Sequence, residues 1–342
     1  MKKLEEKIQN LKDILYGKKC ILAFSGGSDS SLLACIIKEV ADNSIAVTIN
    51  NKLMPSSFII ESVKQANIID IPHRIISNDF MKDELFIKND CNRCYYCRSK
   101  MYDLIMELPE FKDYDYFIEG SNITDLLEDR PGINIVYEYG MLSPLIEAGF
   151  TTEDVKSALK YLNINYVKST TCLATRIPKD TILENDKLNL INEAEVIVKD
   201  IISSDIVRIR NNKDNKLVLS TDSLINILDI DIINKINDKI KHLGFGNIII
   251  DSKEYKKTSV NLKEINNGFL QELPYTINFN STCKILKENK KKYVLKDNCI
   301  IINKIIIYSS SIFIKTTDYN ESYNLLIENI KFIRRKLKEE II

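Results

Sequence analysis

The chain has 342 residues, 44% of them hydrophobic, which is ample for one large or two ordinary domains with real cores. Lys+Arg and Asp+Glu both number 48, so the net charge is zero, which argues against a strongly basic surface and against nucleic acid as a partner. No apolar run reaches membrane-spanning length and the opening Met1-Lys2-Lys3-Leu4-Glu5-Glu6 is charged, so no membrane partner and a cytoplasmic location are expected.

Residues 2–16 place Leu4, Ile8, Leu11 and Leu15 at helical spacing. Residues 20–24 form an apolar run of strand length, residues 25–30 read Ser-Gly-Gly-Ser-Asp-Ser, and residues 31–37 continue as an apolar helix. A strand, a glycine loop and a helix start present several backbone N–H groups to a phosphate-like anion. The adjacent Gly26 and Gly27 permit close backbone approach. No lysine follows them as a Walker loop requires, and no third glycine completes a dinucleotide fingerprint. What SGGSDS does resemble is the pyrophosphate loop (PP-loop), SGGxDS, of the ATP pyrophosphatases. These enzymes split ATP between the α and β phosphates and leave AMP on a substrate. The class includes tRNA thiolases, NAD synthetases and asparagine synthetases.

Further strands are expected at residues 44–49, 73–76 and 116–119, with a helix from Pro55 between the first two. Alternating strands and helices imply an α/β domain whose parallel sheet carries its site at the carboxyl strand ends. The end of the fourth strand, Glu119-Gly120-Ser121-Asn122, is therefore a candidate second wall of that site. A helix at 152–162 precedes a break at 163–165; a helix at 181–203, strands at 206–210 and 216–219 joined by a turn at 211–215, a helix at 224–243 and a strand at 247–251 then read as a smaller α+β unit. The expected units are 1–178, 179–268 and an extension, 269–342, with strands near 283–286, 293–295 and 300–307 and a final helix from Glu321.

Eight cysteines in a reducing compartment are thiols, ligands or redox groups before they are disulfides. His73 and His242 are the only histidines and read as structural or solvated, so histidine-centred catalysis has little material. Cys91-Asn92-Arg93-Cys94-Tyr95-Tyr96-Cys97 stacks two CxxC steps, which suit one metal or cluster or a redox pair. A zinc ribbon needs a second pair downstream, and none exists. Cys20 and Cys35 sit in apolar runs as small core residues. Cys172 lies among small polar residues with Arg176 four positions on, which suits either an anion-binding turn with a favoured thiolate or a buried structural thiol.

Taken in order, SGGSDSS, CNRCYYCRSKMY, EGSNITDLLEDRPG and TTCLATRIP resemble the LarE family of ATP-dependent sacrificial sulfur transferases. VRIR at residues 207–210 and LGFGNIIIDSKEYKKTSVN at 243–261 extend the resemblance over residues 1–262. It implies that Ser25, Gly26, Gly27, Asp29 and Ser30 bind ATP with Mg2+, that Gly120 and Arg130 belong to the nucleotide side, and that Asp29 and Cys172 carry the chemistry. It implies, too, that Cys94, Cys97 and Cys172 hold a [4Fe–4S] cluster, and that Arg176, Arg208 and Arg210 meet the phosphate and carboxylates of the substrate.

That substrate is a small nucleotide carboxylate, in the family a pyridinium biscarboxylate mononucleotide used for the nickel-pincer cofactor, and a homo-oligomer is expected. Adenylation would make the carboxylate electrophilic, and a sulfur nucleophile would displace AMP. If the sulfur were that of Cys172, the residue would end as dehydroalanine; a cluster with one open iron would instead carry exchangeable sulfide, and this version is preferred. Ser28 stands where the family has valine, and residues 167–171 lack its tryptophan and Lys-Pro-Ala. Competing readings are a tRNA or other small-molecule thiolase, an amide-forming ligase, and a protein that binds nucleotide and cluster without turnover.

Overall fold

The computed structural model describes residues 2–168, 171–204, 206–211, 217–245, 248–254 and 259–336. Four strands, β1 (Lys19–Ala23), β2 (Asn43–Asn50), β3 (His73–Ser77) and β4 (Tyr116–Ile118), form a parallel sheet in the order β3-β2-β1-β4. Side chains alternate across it. Cys20 and Leu22 of β1 and Ala46 of β2 join a core with helices Lys2–Leu15, Ser28–Val40 and Thr152–Tyr161. Ile21, Val47 and Ile49 face a second core with Phe80, Ile105 and Leu173 on the opposite side. Both faces are covered, which is why the strands read as apolar runs. The mixed α/β class matches the sequence expectation. Since β2 and β4 flank β1 on opposite sides, the chain reverses its winding at the carboxyl end of β1 and opens a crevice there.

A three-stranded sheet follows, with β5 (Val207–Asn211) antiparallel to β6 (Leu217–Thr221) and β6 parallel to β7 (Ile248–Ile250). Asn211 pairs with Leu217, as a hairpin requires, while most of the expected turn lies outside the described residues. Helices Asn185–Ile202 and Ile230–Lys241 pack on this sheet through Ala194, Val198, Ile236 and Ile240.

The remaining strands are β8 (Lys263–Ile265), β9 (Gly268–Glu272), β10 (Val294–Lys296), β11 (Cys299–Ile302), β12 (Ile305–Ile307) and β13 (Ser311–Ile314). They form a six-stranded sheet in the order β10-β11-β12-β13-β9-β8. Residues 283–286, expected as a strand, lie instead in the helix Phe279–Glu288. The Asn278 side chain caps it by accepting from the Ser281 N–H at 3.0 Å. Thr282 and Leu286, four apart, are the buried positions of that helix, a period the short window conceals. Among the described residues, no helix is long and apolar enough to cross a membrane.

Candidate functional site

The glycine loop stands at the crevice. Gly26 has φ +73°, and a Cβ there would lie 3.3 Å from the Ser62 Cα. Gly27 is the N-cap of the helix Ser28–Val40, and with no side chain capping it the first-turn N–H groups are left for an anion. Hydroxyls shape the loop around them. Ser25 Oγ accepts from the Gly27 N–H at 3.3 Å and lies 3.2 Å from Ser30 Oγ, while Ser31 Oγ donates to the Gly26 carbonyl at 3.0 Å.

Asp29 accepts from Asn122 Nδ2 at 2.6 Å and from Ser28 Oγ at 2.9 Å. Asn122 had no role in the sequence reading beyond its place at the end of the fourth strand. Gly120 is where that strand end touches the loop: a Cβ would sit 3.2 Å from Asp29 Cβ and 3.3 Å from the Ser30 nitrogen.

Ser25, Gly27, Asp29, Ser30, Gly120 and Asn122, but not Gly26, line a cleft of about 810 Å³ together with Arg98, Glu119, Asp125, Arg130, Thr171 and Arg208. Arg130 pairs with Asp125 at 2.8 Å and Glu128 at 2.7 Å. Burial pushes the Asp125 carboxyl up to about 6, with Arg130 opposing and the Asp29 charge adding to the rise. Arg98 donates to the Gly132 carbonyl at 3.2 Å and stands 3.7 Å from Glu119, whose carboxylate also accepts from Ser121 and Ser143. Arg98 follows Cys97 directly on the helix Arg93–Met106 and was not singled out from sequence. A Cβ at Gly132 would meet Arg98 Cδ at 2.9 Å and the Cys94 carbonyl at 3.0 Å, so this close approach needs glycine.

The CxxC segment and the Cys172 turn are stitched to each other. Arg93 donates to the Ala174 carbonyl at 3.1 Å and to the Asn89 side chain. Asn89 Nδ2 in turn donates to the Pro178 carbonyl at 2.8 Å and the Thr181 carbonyl at 3.1 Å. The loop after β2 bridges both. Asn51 Nδ2 donates to Cys97 Sγ at 3.8 Å, and the Leu53 carbonyl accepts from the Leu173 N–H at 2.8 Å.

Cys94 is exposed, and Cys97 and Cys172 are half-buried. Burial pushes the Cys97 thiol up to about 12, and Cys172 and Cys94 add to the shift. Burial also raises Cys172, opposed by a hydrogen bond from the Ala174 N–H and by Arg93. The three thiols thus share one electrostatic neighbourhood. Three soft donors suit an iron–sulfur cluster in kind. Among the described residues, however, no three His, Cys, Asp or Glu side chains are grouped closely enough to hold a metal ion. Cys91 is half-buried, and all eight cysteines are free thiols.

The three arginines expected at the substrate separate. Arg176, 1% exposed, forks onto Glu195 at 2.6 and 3.1 Å. Its other nitrogen holds Thr171 Oγ1 and Thr175 Oγ1 at 2.6 Å and the Cys172 carbonyl at 3.2 Å. It organises the Cys172 turn from inside and is not part of the cleft wall. Glu195 also accepts the Ile209 N–H at 2.9 Å, which ties that turn to β5. Arg208 is buried and lines the cleft. Arg210 donates to Ser220 Oγ at 3.1 Å and is not among the lining residues.

No family model matches the chain. It is 28% identical over 256 residues to an uncharacterized protein of Methanocaldococcus jannaschii, covering 75% of this chain and 98% of that one. An uncharacterized protein of Synechocystis is 27% identical over 265 residues, again 75% of this chain and 98% of its own length. The chain is also similar, at 25% identity over 256 residues, to the pyridinium-3,5-bisthiocarboxylic acid mononucleotide synthase of Lactiplantibacillus plantarum, covering 73% of this chain and 91% of that enzyme.

Proposed function

We propose that the chain is an ATP-dependent sulfur transferase that adenylates a substrate carboxylate and then sulfurates it. The observation that carries this reading is the double service of one helix. From Arg93–Met106, Cys97 packs on the same core as Cys172 while Arg98 lines the cleft that the uncapped glycine loop also lines.

ATP phosphates would sit on the N–H groups around Gly27, with Arg98 and Arg130 on the facing wall. In this reading Asp29 would hold Mg2+, which would neutralise phosphate charge. A carboxylate oxygen of the substrate bonds to the α-phosphorus, the bond to the β-phosphate oxygen breaks, and pyrophosphate leaves. Sulfur then bonds to the acyl carbon as its bond to AMP breaks, which yields a thiocarboxylate. Arg208 is the residue placed to bind the anionic substrate. Cys94, Cys97 and Cys172 would hold a [4Fe–4S] cluster only once drawn closer together than they stand here, and the cluster would then supply an exchangeable sulfide. The activity named for the L. plantarum relative makes a pyridinium-3,5-biscarboxylate mononucleotide the first substrate to try.

The test combines the anaerobically purified chain, ATP, Mg2+ and that compound. AMP, pyrophosphate and replacement of one substrate oxygen by sulfur are expected. ADP and orthophosphate as products would overturn the reading. Cys172→Ala is expected to keep pyrophosphate release and lose sulfur transfer; sulfur transfer retained in that variant sinks the role of the thiol.

A further inference from the structure

The extension lies beyond the stretch that resembles LarE, and the M. jannaschii and Synechocystis relatives leave about a quarter of this chain unmatched. It is nonetheless not a free-standing unit. Leu126, Leu127 and Ile133, from the segment that carries Arg130, share one core with Leu273, Ile277, Ile330 and Ile333 of the extension. Tyr275 Oη donates to the Leu126 carbonyl at 2.7 Å. Arg335, 6% exposed, reaches Asp129 Oδ1 at 2.6 Å, and its own carbonyl accepts from Asn134 Nδ2 at 3.3 Å. Ile277 and Arg335 bridge each other, and the Lys336 N–H donates to the Thr276 carbonyl at 2.8 Å, so the two contributing strands form a single clasp. Pro274 from that clasp lines the cleft beside Asp129 and Arg130.

We propose that the extension is a working part of the nucleotide site and that Arg335 is its positioning residue. This rests on the ATP reading above. The turn from Glu128 to Arg130 is held within itself by a 2.9 Å bond from the Arg130 N–H to the Glu128 carbonyl. Arg335 anchors that turn from outside through Asp129 and so sets where Arg130 meets the cleft. It also sets a positive charge against Asp129, a carboxylate on the wall that repels a polyphosphate. Both effects favour ATP. An unanchored turn would leave Arg130 with more freedom to lose on binding, and an Asp129 with less countercharge beside it would oppose the phosphates more strongly.

The experiment titrates ATP with Mg2+ into the full chain, well below its melting temperature, and follows hydrogen exchange over residues 123–133. R335Q is expected to bind ATP about tenfold more weakly, within the range of coupled sites, with faster exchange in that segment and unchanged exchange in the parallel sheet. R335K restores the charge and most of the affinity. Adding D129N to R335Q removes that carboxylate's charge and recovers part of the loss. Tyr275→Phe, which deletes one hydrogen bond and no charge, gives a smaller loss in the same direction. Wild-type affinity in R335Q overturns the inference, as does failure of R335K to rescue. Should R335Q not fold, undiminished ATP binding by Tyr275→Phe overturns it instead. If the unaltered chain binds no ATP, the functional reading falls first and this inference with it.

Discussion

Arg93 and Ala174 lie 81 positions apart in sequence, yet the guanidinium of one donates to the backbone carbonyl of the other at 3.1 Å. Arg93 opens the helix that bears Cys94 and Cys97, and Ala174 stands two residues after Cys172. This bond therefore spans the two cysteine segments. The CNRC arginine belongs to the framework that sets the spacing of the thiols.

Replacing Arg93 by alanine leaves the Ala174 carbonyl and the Asn89 side chain without a charged donor in a buried place. A loss of about 2–3 kcal/mol in unfolding free energy is expected, the range for a buried hydrogen bond to a charged group. Sulfur transfer should fall further than pyrophosphate release, since the glycine loop does not depend on this contact. Urea denaturation and paired product assays check it; equal loss of both activities would place the effect in general stability.

Gly120→Ala pushes a methyl group against Asp29 Cβ at 3.2 Å and the Ser30 nitrogen at 3.3 Å, where the glycine-loop helix begins. Overpacking of this kind costs about 1–3 kcal/mol, and here the displaced atoms belong to the anion site, so ATP affinity should drop with stability. Gly140→Ala is the control. Gly140 has φ +63° and an added Cβ there would meet nothing within 4 Å, so it should show left-handed strain of about 1–2 kcal/mol with ATP binding intact. Calorimetric titration of both variants separates the two effects.

The Cys97 thiol, raised from 9.0 to about 12 chiefly by burial, makes stability depend on pH in a defined window. The folded chain keeps a proton that the unfolded chain releases, so the contribution is complete below pH 9 and is lost as pH climbs toward about 12. Cys172 is shifted in the same direction and adds to the slope. Urea midpoints of the metal-free chain should therefore decline through this range, and Cys97→Ala should flatten the decline even if its midpoint is lower throughout. An alkaline slope unchanged by Cys97→Ala would contradict the burial argument.

The strand, glycine loop and helix at residues 19–40 were legible in sequence because local chemistry specifies them. An apolar run, two glycines and a Leu/Ala-rich stretch have few alternative conformations. The same holds for the alternating strands and helices that make the sheet parallel. Residues 25–30 and the strand end at 119–122 are expected from sequence to face each other across one site, because loop residues at carboxyl strand ends gather wherever such a sheet reverses its winding.

Other features depended on partners remote in the chain. Arg176, four residues from Cys172, reads as a substrate contact, but Glu195 at 2.6 Å draws it into the interior. Burying a guanidinium is costly unless its donors find acceptors, and for Arg176 the Glu195 carboxylate supplies them from the interior. Asn122 becomes an Asp29 partner only because β4 pairs with β1 and sets its end against the loop. The extension reads as an appendage by composition, yet Tyr275 and Arg335 grip the Leu126 carbonyl and Asp129. Element type follows from short-range periodicity. The direction of a buried charge and the docking of a late segment follow from which surfaces and partners the tertiary structure brings together, and no local window of sequence contains both sides of such a contact.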